Sequence, residues 1–144
     1  MKIFLDTNIL LDILQGNTRP NYTDSARLLS ELKKQHEIQA LVSVQTIIDV
    51  SYCMTRHKDT EKDFYNLTSK LLEKLYLVTI SPEDLNRALA SHPEDFEDEA
   101  QLRCAQTNDC SYFITGDTRL LKIENKEKLR FSSPGDFLKL ASQS

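Results

Sequence analysis

Short apolar runs alternate along this chain with segments in which apolar residues recur at helical spacing. The apolar runs, which favour β-strands, are residues 2–5, 41–44, 76–80, 112–116 and 129–132. Between the runs, apolar residues recur three and four positions apart, a pattern typical of helices with one buried face. We predict helices over about 8–14, 24–36, 45–56, 60–74, 82–92 and 96–107, with a last helix after residue 136.

This alternation of strands and helices predicts an α/β fold built on a parallel sheet. Residues 76–80 are almost continuously apolar, as expected for a strand covered on both faces, so we place this strand centrally in the sheet. Ser81 followed by Pro82 is a strong start for the next helix. Asp59 or Thr60 could cap the helix before it.

Aspartates stand where two of the predicted strands end. Residues 2–5 run into Asp6, and residues 112–116 run into Asp117. The carboxyl ends of parallel strands meet in one crevice even when they are far apart in sequence. Further acids could join them there, because Asp49 follows the 41–44 strand and Asp98 lies in an acidic helix start. Carboxylates held this close repel one another, and a cation would relieve the repulsion.

The composition is that of a globular protein. The chain has 144 residues, 40% of them hydrophobic and 28% charged, so we expect a single domain spanning residues 1–144. Residues 1–8 reach Asp6 at once and contain no apolar run long enough for a signal peptide, so we expect a cytoplasmic protein. Three cysteines without CxxC spacing predict buried reduced thiols rather than disulfides or a cysteine metal site.

The net charge of −4 differs from the basic charge expected of a protein that handles nucleic acid. The chain has 22 acidic residues and 18 lysines and arginines. If the four candidate ligands Asp6, Asp49, Asp98 and Asp117 are set aside, 18 acids remain against 18 basic residues. The rest of the surface is then balanced in charge, so the net charge does not exclude an RNA substrate.

Three segments of the chain carry a family resemblance. Residues 4–12 (FLDTNILLD) are similar to the first motif of PIN-domain ribonucleases, and residues 95–101 (DFEDEAQ) and 113–117 (FITGD) are similar to the later motifs. The motifs have the family's order and spacing over nearly the whole chain. The resemblance implies a three-layer α/β/α sandwich with a central parallel sheet of four or five strands.

The resemblance also implies a function, namely Mg²⁺- or Mn²⁺-dependent endonucleolytic cleavage of RNA. Many such single-domain proteins are the toxins of VapC-type toxin–antitoxin pairs, which implies an antitoxin partner and a homodimer. The family's first, third and fourth acids, its metal ligands, correspond to Asp6, Asp98 and Asp117, with Asn8 and Thr115 as supporting polar residues. The second catalytic acid, commonly a glutamate, corresponds to Asp49.

Other interpretations of these residues stay open. Asp6 and Asp117 could each cap the helix that follows, and Asp49 could equally be an exposed helix residue. The chain could also be a catalytically inactive PIN-like module that binds RNA or a protein. A phosphatase of the haloacid-dehalogenase type likewise begins with a strand that ends in aspartate, but it needs a second aspartate where Asn8 stands.

Overall fold

The strands and helices follow the predicted order closely. The structure is a computed structural model that describes residues 1–56 and 61–143. Its strands are β1 (Lys2–Leu5), β2 (Gln39–Ser43), β3 (Tyr76–Val78), β4 (Tyr112–Ile114), β5 (Asn125–Lys126) and β6 (Leu129–Ser132). Its helices are α1 (Thr7–Gln15), α2 (Tyr22–Lys34), α3 (Val44–Arg56), α4 (Glu61–Leu72), α5 (Pro82–Ala90), α6 (Phe96–Thr107), α7 (Thr118–Leu121) and α8 (Pro134–Ser142).

The strands form one six-stranded sheet in the order β3-β2-β1-β4-β6-β5. The pairs from β3 to β6 are all parallel, which confirms the predicted α/β sheet of four or five parallel strands. The sixth strand, β5, is a two-residue segment antiparallel to β6, and the sequence pattern did not predict it. The central strand β1 pairs with β2 on one side and with β4 on the other.

Side chains of β1 alternate between two hydrophobic clusters. Ile3 and Leu5 pack into a cluster that includes buried residues of α1, α2, α3 and α8. Phe4 points to the opposite face, where it packs with α6 and stacks on Phe113 at 5.4 Å between ring centroids. The sheet is therefore covered by helices on both faces, as in the predicted three-layer sandwich.

The prediction that residues 76–80 form a central strand is wrong. The strand ends at Val78 and lies at the edge of the sheet, paired only with β2 among the described strands. Tyr76 and Leu77 remain 55% and 49% exposed. A run of apolar residues does not separate a strand buried between two neighbours from an edge strand that leaves apolar side chains at the surface.

Helix caps account for several of the helix boundaries. The Ser81 hydroxyl accepts a hydrogen bond from the Asp84 backbone N–H, and the Asp84 carboxylate accepts one from the Ser81 N–H, both at 3.0 Å. This reciprocal pair fixes the start of α5 as predicted. The predicted cap of α4 at Asp59 or Thr60 lies outside the described residues.

A buried ion group ties α6 to the β5–β6 hairpin. The Glu99 carboxylate accepts hydrogen bonds from Lys126 Nζ at 2.8 and 2.7 Å and from Arg103 Nε at 3.0 Å. Glu99 itself is buried, so its charge depends on these two partners. The short strand β5 is thereby held against the helix that carries Asp98.

The three cysteines are free thiols, as the sequence predicted. Cys104 and Cys110 are buried free thiols and Cys53 is a half-buried one. Burial raises the pKa of Cys104 to about 12 and that of Cys110 to about 11, so both stay protonated at neutral pH. Among the described helices, none has the length and apolar character needed to cross a lipid bilayer.

Candidate active site at the carboxyl ends of β1 and β4

Asp6 follows β1, and its carboxylate is fixed by three hydrogen bonds. Oδ1 accepts from the Thr7 backbone N–H at 2.7 Å, and Oδ2 accepts from the Thr115 hydroxyl at 2.7 Å. The side-chain amide of Asn8 donates to the same Oδ2 at 3.0 Å. Because β1 and β4 are parallel neighbours, residues 6 and 115 leave the sheet side by side. The two strand ends therefore meet as the sequence predicted.

Asn8 and Thr115 also fix the segment that leads to Asp117. The Asn8 side chain donates to Thr115 Oγ1 at 3.2 Å and accepts from the Gly116 N–H at 2.9 Å. The Asp117 N–H then donates to Thr115 Oγ1 at 3.0 Å. Both predicted supporting residues thus hold the backbone between the two aspartates rather than only their own local turns.

The third acid comes from α6. Asp95 caps this helix by accepting a hydrogen bond from the Asp98 N–H at 3.0 Å, which places Asp98 in the first turn. Partial burial, together with the negative charges of Asp95, Asp6 and Asp117, raises the pKa of Asp98 to about 6, although the charge of Arg119 partly offsets the rise. Asp98 therefore faces both strand-end aspartates closely enough to feel their charges.

The acids differ in how well they are neutralised. Burial is the main cause that raises the pKa of Asp6, and its hydrogen bonds only partly offset this. The pKa of Asp117 is lowered, chiefly because Arg119 hydrogen-bonds its carboxylate. Burial thus disfavours the anions of Asp6 and Asp98, whereas Arg119 stabilises the anion of Asp117.

Asp49 joins the group through a residue that the sequence analysis left without a role. The Gln45 side-chain amide donates to Asp49 Oδ1 at 2.9 Å. The carboxyl of Glu97 hydrogen-bonds Asp49, and its pKa is raised by partial burial first and then by Asp49, Asp95 and Asp6. Glu97 is therefore the link between Asp49 and the strand-end acids.

A second residue that the sequence analysis missed is Arg119. Its Nη2 lies 2.9 Å from Asp117 Oδ2 and 3.8 Å from Asp98 Oδ2, and its Nε donates to Asp117 Oδ1 at 3.3 Å. The sequence feature that could have pointed to Arg119 is a basic residue in the short helix that begins directly after Asp117. The signal for Glu97 was its place beside Asp98 in the first turn of α6.

A buried polar cluster lies behind the acids. The Thr46 hydroxyl accepts from the Gln101 amide at 3.0 Å and from the Ser43 hydroxyl at 3.1 Å, and it lies 3.1 Å from the Thr7 hydroxyl. Because two donors already point at this oxygen, its own hydrogen is directed toward Thr7. The cluster joins α1, α3 and α6, the helices that adjoin Asp6 or carry Asp49 and Asp98.

The donor set fits a hard divalent cation in its chemistry. All the candidate ligands are carboxylate oxygens, which Mg²⁺ and Mn²⁺ prefer, and the pKa values of Asp6 and Asp98 are raised by burial first and by neighbouring acids second. Within residues 1–56 and 61–143, however, no three acidic side chains already enclose a position for an ion. The guanidinium of Arg119 lies instead between Asp98 and Asp117.

Comparison with known protein families identifies the class of this fold and site. A family model described as the PIN domain matches residues 2–119. This match covers most of the chain, so the protein belongs to the PIN domain family. Membership excludes the haloacid-dehalogenase alternative, which requires a different fold and a second aspartate at position 8. No curated protein matches the chain significantly in sequence.

Solved structures with the same fold include several from toxin–antitoxin systems. VapC20 of Mycobacterium tuberculosis, described as a sarcin-ricin loop cleaving toxin, has a TM-score of 0.64 at 13% identity and covers 89% of this chain and 98% of its own. VapBC2 from Rickettsia felis, bound to promoter DNA, has a TM-score of 0.67 at 16% identity, covering 92% and 98%. A toxin–antitoxin complex from Klebsiella pneumoniae has a TM-score of 0.63 at 20% identity, covering 92% and 97%. At these identities the likeness establishes the fold.

Proposed function

We propose that this protein is an endoribonuclease that depends on Mg²⁺ or Mn²⁺ and acts as the toxin of a toxin–antitoxin pair. The observation that carries the proposal is the convergence of Asp6, Asp98 and Asp117, from two strand ends and one helix, at a single edge of the sheet. Membership of the PIN domain family and the VapC20 likeness support RNA as the substrate. An RNA substrate makes the cytoplasm the expected compartment.

In this proposal the residues of the site have two roles: some bind the ion, and others orient the residues that bind it. Asp6, Asp98 and Asp117 would bind the divalent ion, and Asp49 together with Glu97 would complete the acidic wall. A bound ion of this kind neutralises phosphate charge and lowers the pKa of water. Thr115 and Asn8 keep the Asp6 carboxylate in one orientation, so that little rearrangement is needed when substrate arrives.

A cleavage assay tests the proposal. The purified protein is incubated with structured and unstructured RNA in Mg²⁺, Mn²⁺ or EDTA, beside Asp6→Asn. Asp109→Asn is the matched control, because Asp109 is exposed at the amino end of β4 and its φ of 59° suits asparagine. We expect cleavage only with the metals, loss in Asp6→Asn and full activity in Asp109→Asn. Cleavage that survives EDTA or Asp6→Asn would refute the proposal.

A second candidate function is an inactive module that binds RNA or a protein. It is favoured by the neutralising contact of Arg119 with Asp98 and Asp117, and by the lack of an enclosed three-acid position among the described residues. The same assay separates the two functions. An intact RNA in every condition, together with binding of that RNA in EDTA, would support the binding module.

An antitoxin partner is part of the proposal, supported by the neighbours that are toxin–antitoxin complexes. A groove between α1, α2 and α4 offers a docking surface with apolar walls and a basic rim, lined by Ile13, Leu14, Leu29, Lys33, Leu67, Lys70, Leu71 and Lys74. Its charge is complementary to an acidic amphipathic helix, which we propose as the antitoxin segment. Leu67→Asp should stop the antitoxin from restoring growth on co-expression while RNA cleavage is unchanged; retained growth recovery would place the antitoxin elsewhere.

A homodimer is also proposed. Support comes from α3, where Val44, Ile48 and Tyr52 are large apolar residues spaced four apart and all exposed. Exposed apolar patches on a globular protein commonly mark contacts with another protein. Light scattering of the purified protein should give twice the monomer mass, and Ile48→Glu should shift it to the monomer. A monomeric mass for the unmodified protein would overturn this part of the proposal.

A further inference from the structure

In this structure, the guanidinium of Arg119 supplies positive charge to the acidic site. In the part of the chain that the structure describes, it is the only basic side chain within ion-pair distance of Asp98 or Asp117. The guanidinium makes a two-pronged contact with Asp117, through Nε at 3.3 Å and Nη2 at 2.9 Å. It therefore supplies the positive charge that a cluster of carboxylates requires.

The contact is nevertheless exposed. The Arg119 side chain is 71% exposed, whereas those of Asp98 and Asp117 are 24% and 22% exposed. An ion pair in contact with solvent is weak, because water screens it and a long side chain must be held in one conformation. A divalent ion with twice the charge and no side-chain entropy to lose can therefore compete for the same oxygens.

The anchoring of α7 does not depend on the guanidinium. Asp117 caps this helix by accepting a hydrogen bond from the Arg119 backbone N–H at 2.9 Å. That bond is a backbone bond, so every residue other than proline at position 119 can make it. The Arg119 side chain can therefore leave the carboxylates without unfolding the segment that presents Asp117.

We propose that Arg119 is an exchangeable counter-ion, which neutralises Asp98 and Asp117 in the ion-free protein and, once a divalent ion displaces it, binds a phosphate of the RNA. This inference rests on the proposed function. The displaced guanidinium would stay tethered beside the carboxylates, where the proposed cleavage would place the phosphodiester. Its planar donors suit phosphate oxygens, to which arginine binds in a two-pronged manner.

The exchange predicts opposite effects on two equilibria when the charge of residue 119 is removed. In Arg119→Gln the carboxylates lack their internal competitor, so the dissociation constant for Mn²⁺ should fall by about two- to five-fold, the range expected for an exposed ion pair. RNA binding in Mn²⁺ should weaken, and the slope of log affinity against log salt concentration should become smaller by about 0.7, as for one lost phosphate contact. A residue that only stabilised the fold would weaken both equilibria.

The experiment uses the full chain with Mn²⁺ alone, measured by calorimetry, and then a fluorescent single-stranded RNA that the protein leaves intact, measured by anisotropy. Arg27→Gln is the control for net charge, because Arg27 is an exposed residue of α2 and, within the described residues, forms no ion pair with Asp6, Asp98 or Asp117. Arg119→Lys keeps the positive charge but lacks the planar guanidinium. Its side chain should therefore still compete weakly with Mn²⁺ for the carboxylates, whereas its RNA binding should be closer to that of Arg119→Gln than to that of the unmodified protein.

Tighter Mn²⁺ binding together with weaker RNA binding, in Arg119→Gln but not in Arg27→Gln, supports the exchange. Weaker Mn²⁺ binding in Arg119→Gln, or behaviour equal to that of Arg27→Gln, overturns it even if the unmodified protein cleaves RNA. An unmodified protein that binds no Mn²⁺ would instead refute the proposed function, and the exchange with it. The two failures are therefore distinguishable.

Discussion

The Thr46 hydroxyl accepts a hydrogen bond from the Gln101 side-chain amide at 3.0 Å, although the two residues lie 55 positions apart. Both side chains are buried. Gln101 lies one helical turn after Asp98, and Thr46 lies 3.1 Å from the hydroxyl of Thr7, the residue after Asp6. This contact therefore fixes the helix of one candidate ligand against the strand end of another.

Removing the Thr46 hydroxyl should loosen this arrangement. Thr46→Val leaves the buried Gln101 amide without its acceptor, so we expect the free energy of unfolding to fall by about 1–3 kcal/mol. Thr46→Ser retains the hydroxyl, so its free energy of unfolding should fall less. Thr68→Val is the matched control, because the buried Thr68 hydroxyl has no hydrogen-bond partner among the residues that the structure describes. Urea denaturation measures all three, and equal losses in Thr46→Val and Thr68→Val would contradict the assigned role.

Asp98 and Asp117 should respond differently to neutral substitution. Asp98 is destabilised as an anion by burial and neighbouring acids, so Asp98→Asn should raise the melting temperature in EDTA. Asp117 is stabilised by Arg119 and caps α7, so Asp117→Asn should leave the melting temperature equal or lower. Both substitutions should abolish the rise in melting temperature that Mn²⁺ gives the unmodified protein. Thermal unfolding with and without Mn²⁺ tests both expectations. A lower melting temperature for Asp98→Asn in EDTA would show that the Asp98 anion does not destabilise the ion-free fold.

The stability of the ion-free protein should depend on pH through Asp98. Its pKa is about 6 in the folded protein against an ordinary value of 3.8. Between these values the folded state keeps a proton that the unfolded chain releases, so the free energy of unfolding falls as pH rises from roughly 4 to 6. Asp98→Asn should flatten this slope. Urea denaturation in EDTA across this range tests the prediction, which an unchanged slope in Asp98→Asn would disprove.

The buried ion group at Glu99 should contribute strongly to stability. Glu99→Gln removes the charge shared by Lys126 and Arg103, and the loss of one partner from a buried group costs about 3 kcal/mol. Glu31→Gln removes the carboxylate of an exposed pair with Lys34, where less than about 1 kcal/mol is at stake. Chemical denaturation compares the two variants. A loss for Glu99→Gln no larger than for Glu31→Gln would show that the buried group is energetically unimportant.

The backbone of the candidate site could be predicted because its signals are local. An apolar run that ends in Asp6, and another that leads to Asp117, indicate strand ends, and parallel strands bring such ends together. The last strand, residues 129–132, was predicted with the bounds that the structure has. Edge or central position was not predictable for Tyr76–Val78, because it depends on which strands pair, and apolar content does not specify pairing.

The side-chain contacts could not be predicted because they depend on the packing of distant elements. The contact of Glu97 with Asp49 depends on how α6 lies against α3, and neither helix contains that information alone. The Arg119 contact with Asp98 likewise requires α7 and α6 to be adjacent. Thr46 showed no signal at all, because a threonine early in a helix has many local uses.

The position of β1 between β2 and β4 has a consequence for synthesis of the protein. Asp6 is made among the first residues, but its Thr115 partner follows 109 positions later. A ribosome that stops anywhere before β4 releases a chain in which the central strand has one open edge and its aspartate has neither Thr115 nor Asp117 nearby. Under the proposed function, a growing copy of the protein would therefore lack a complete acidic site until β4 and Asp117 have been made.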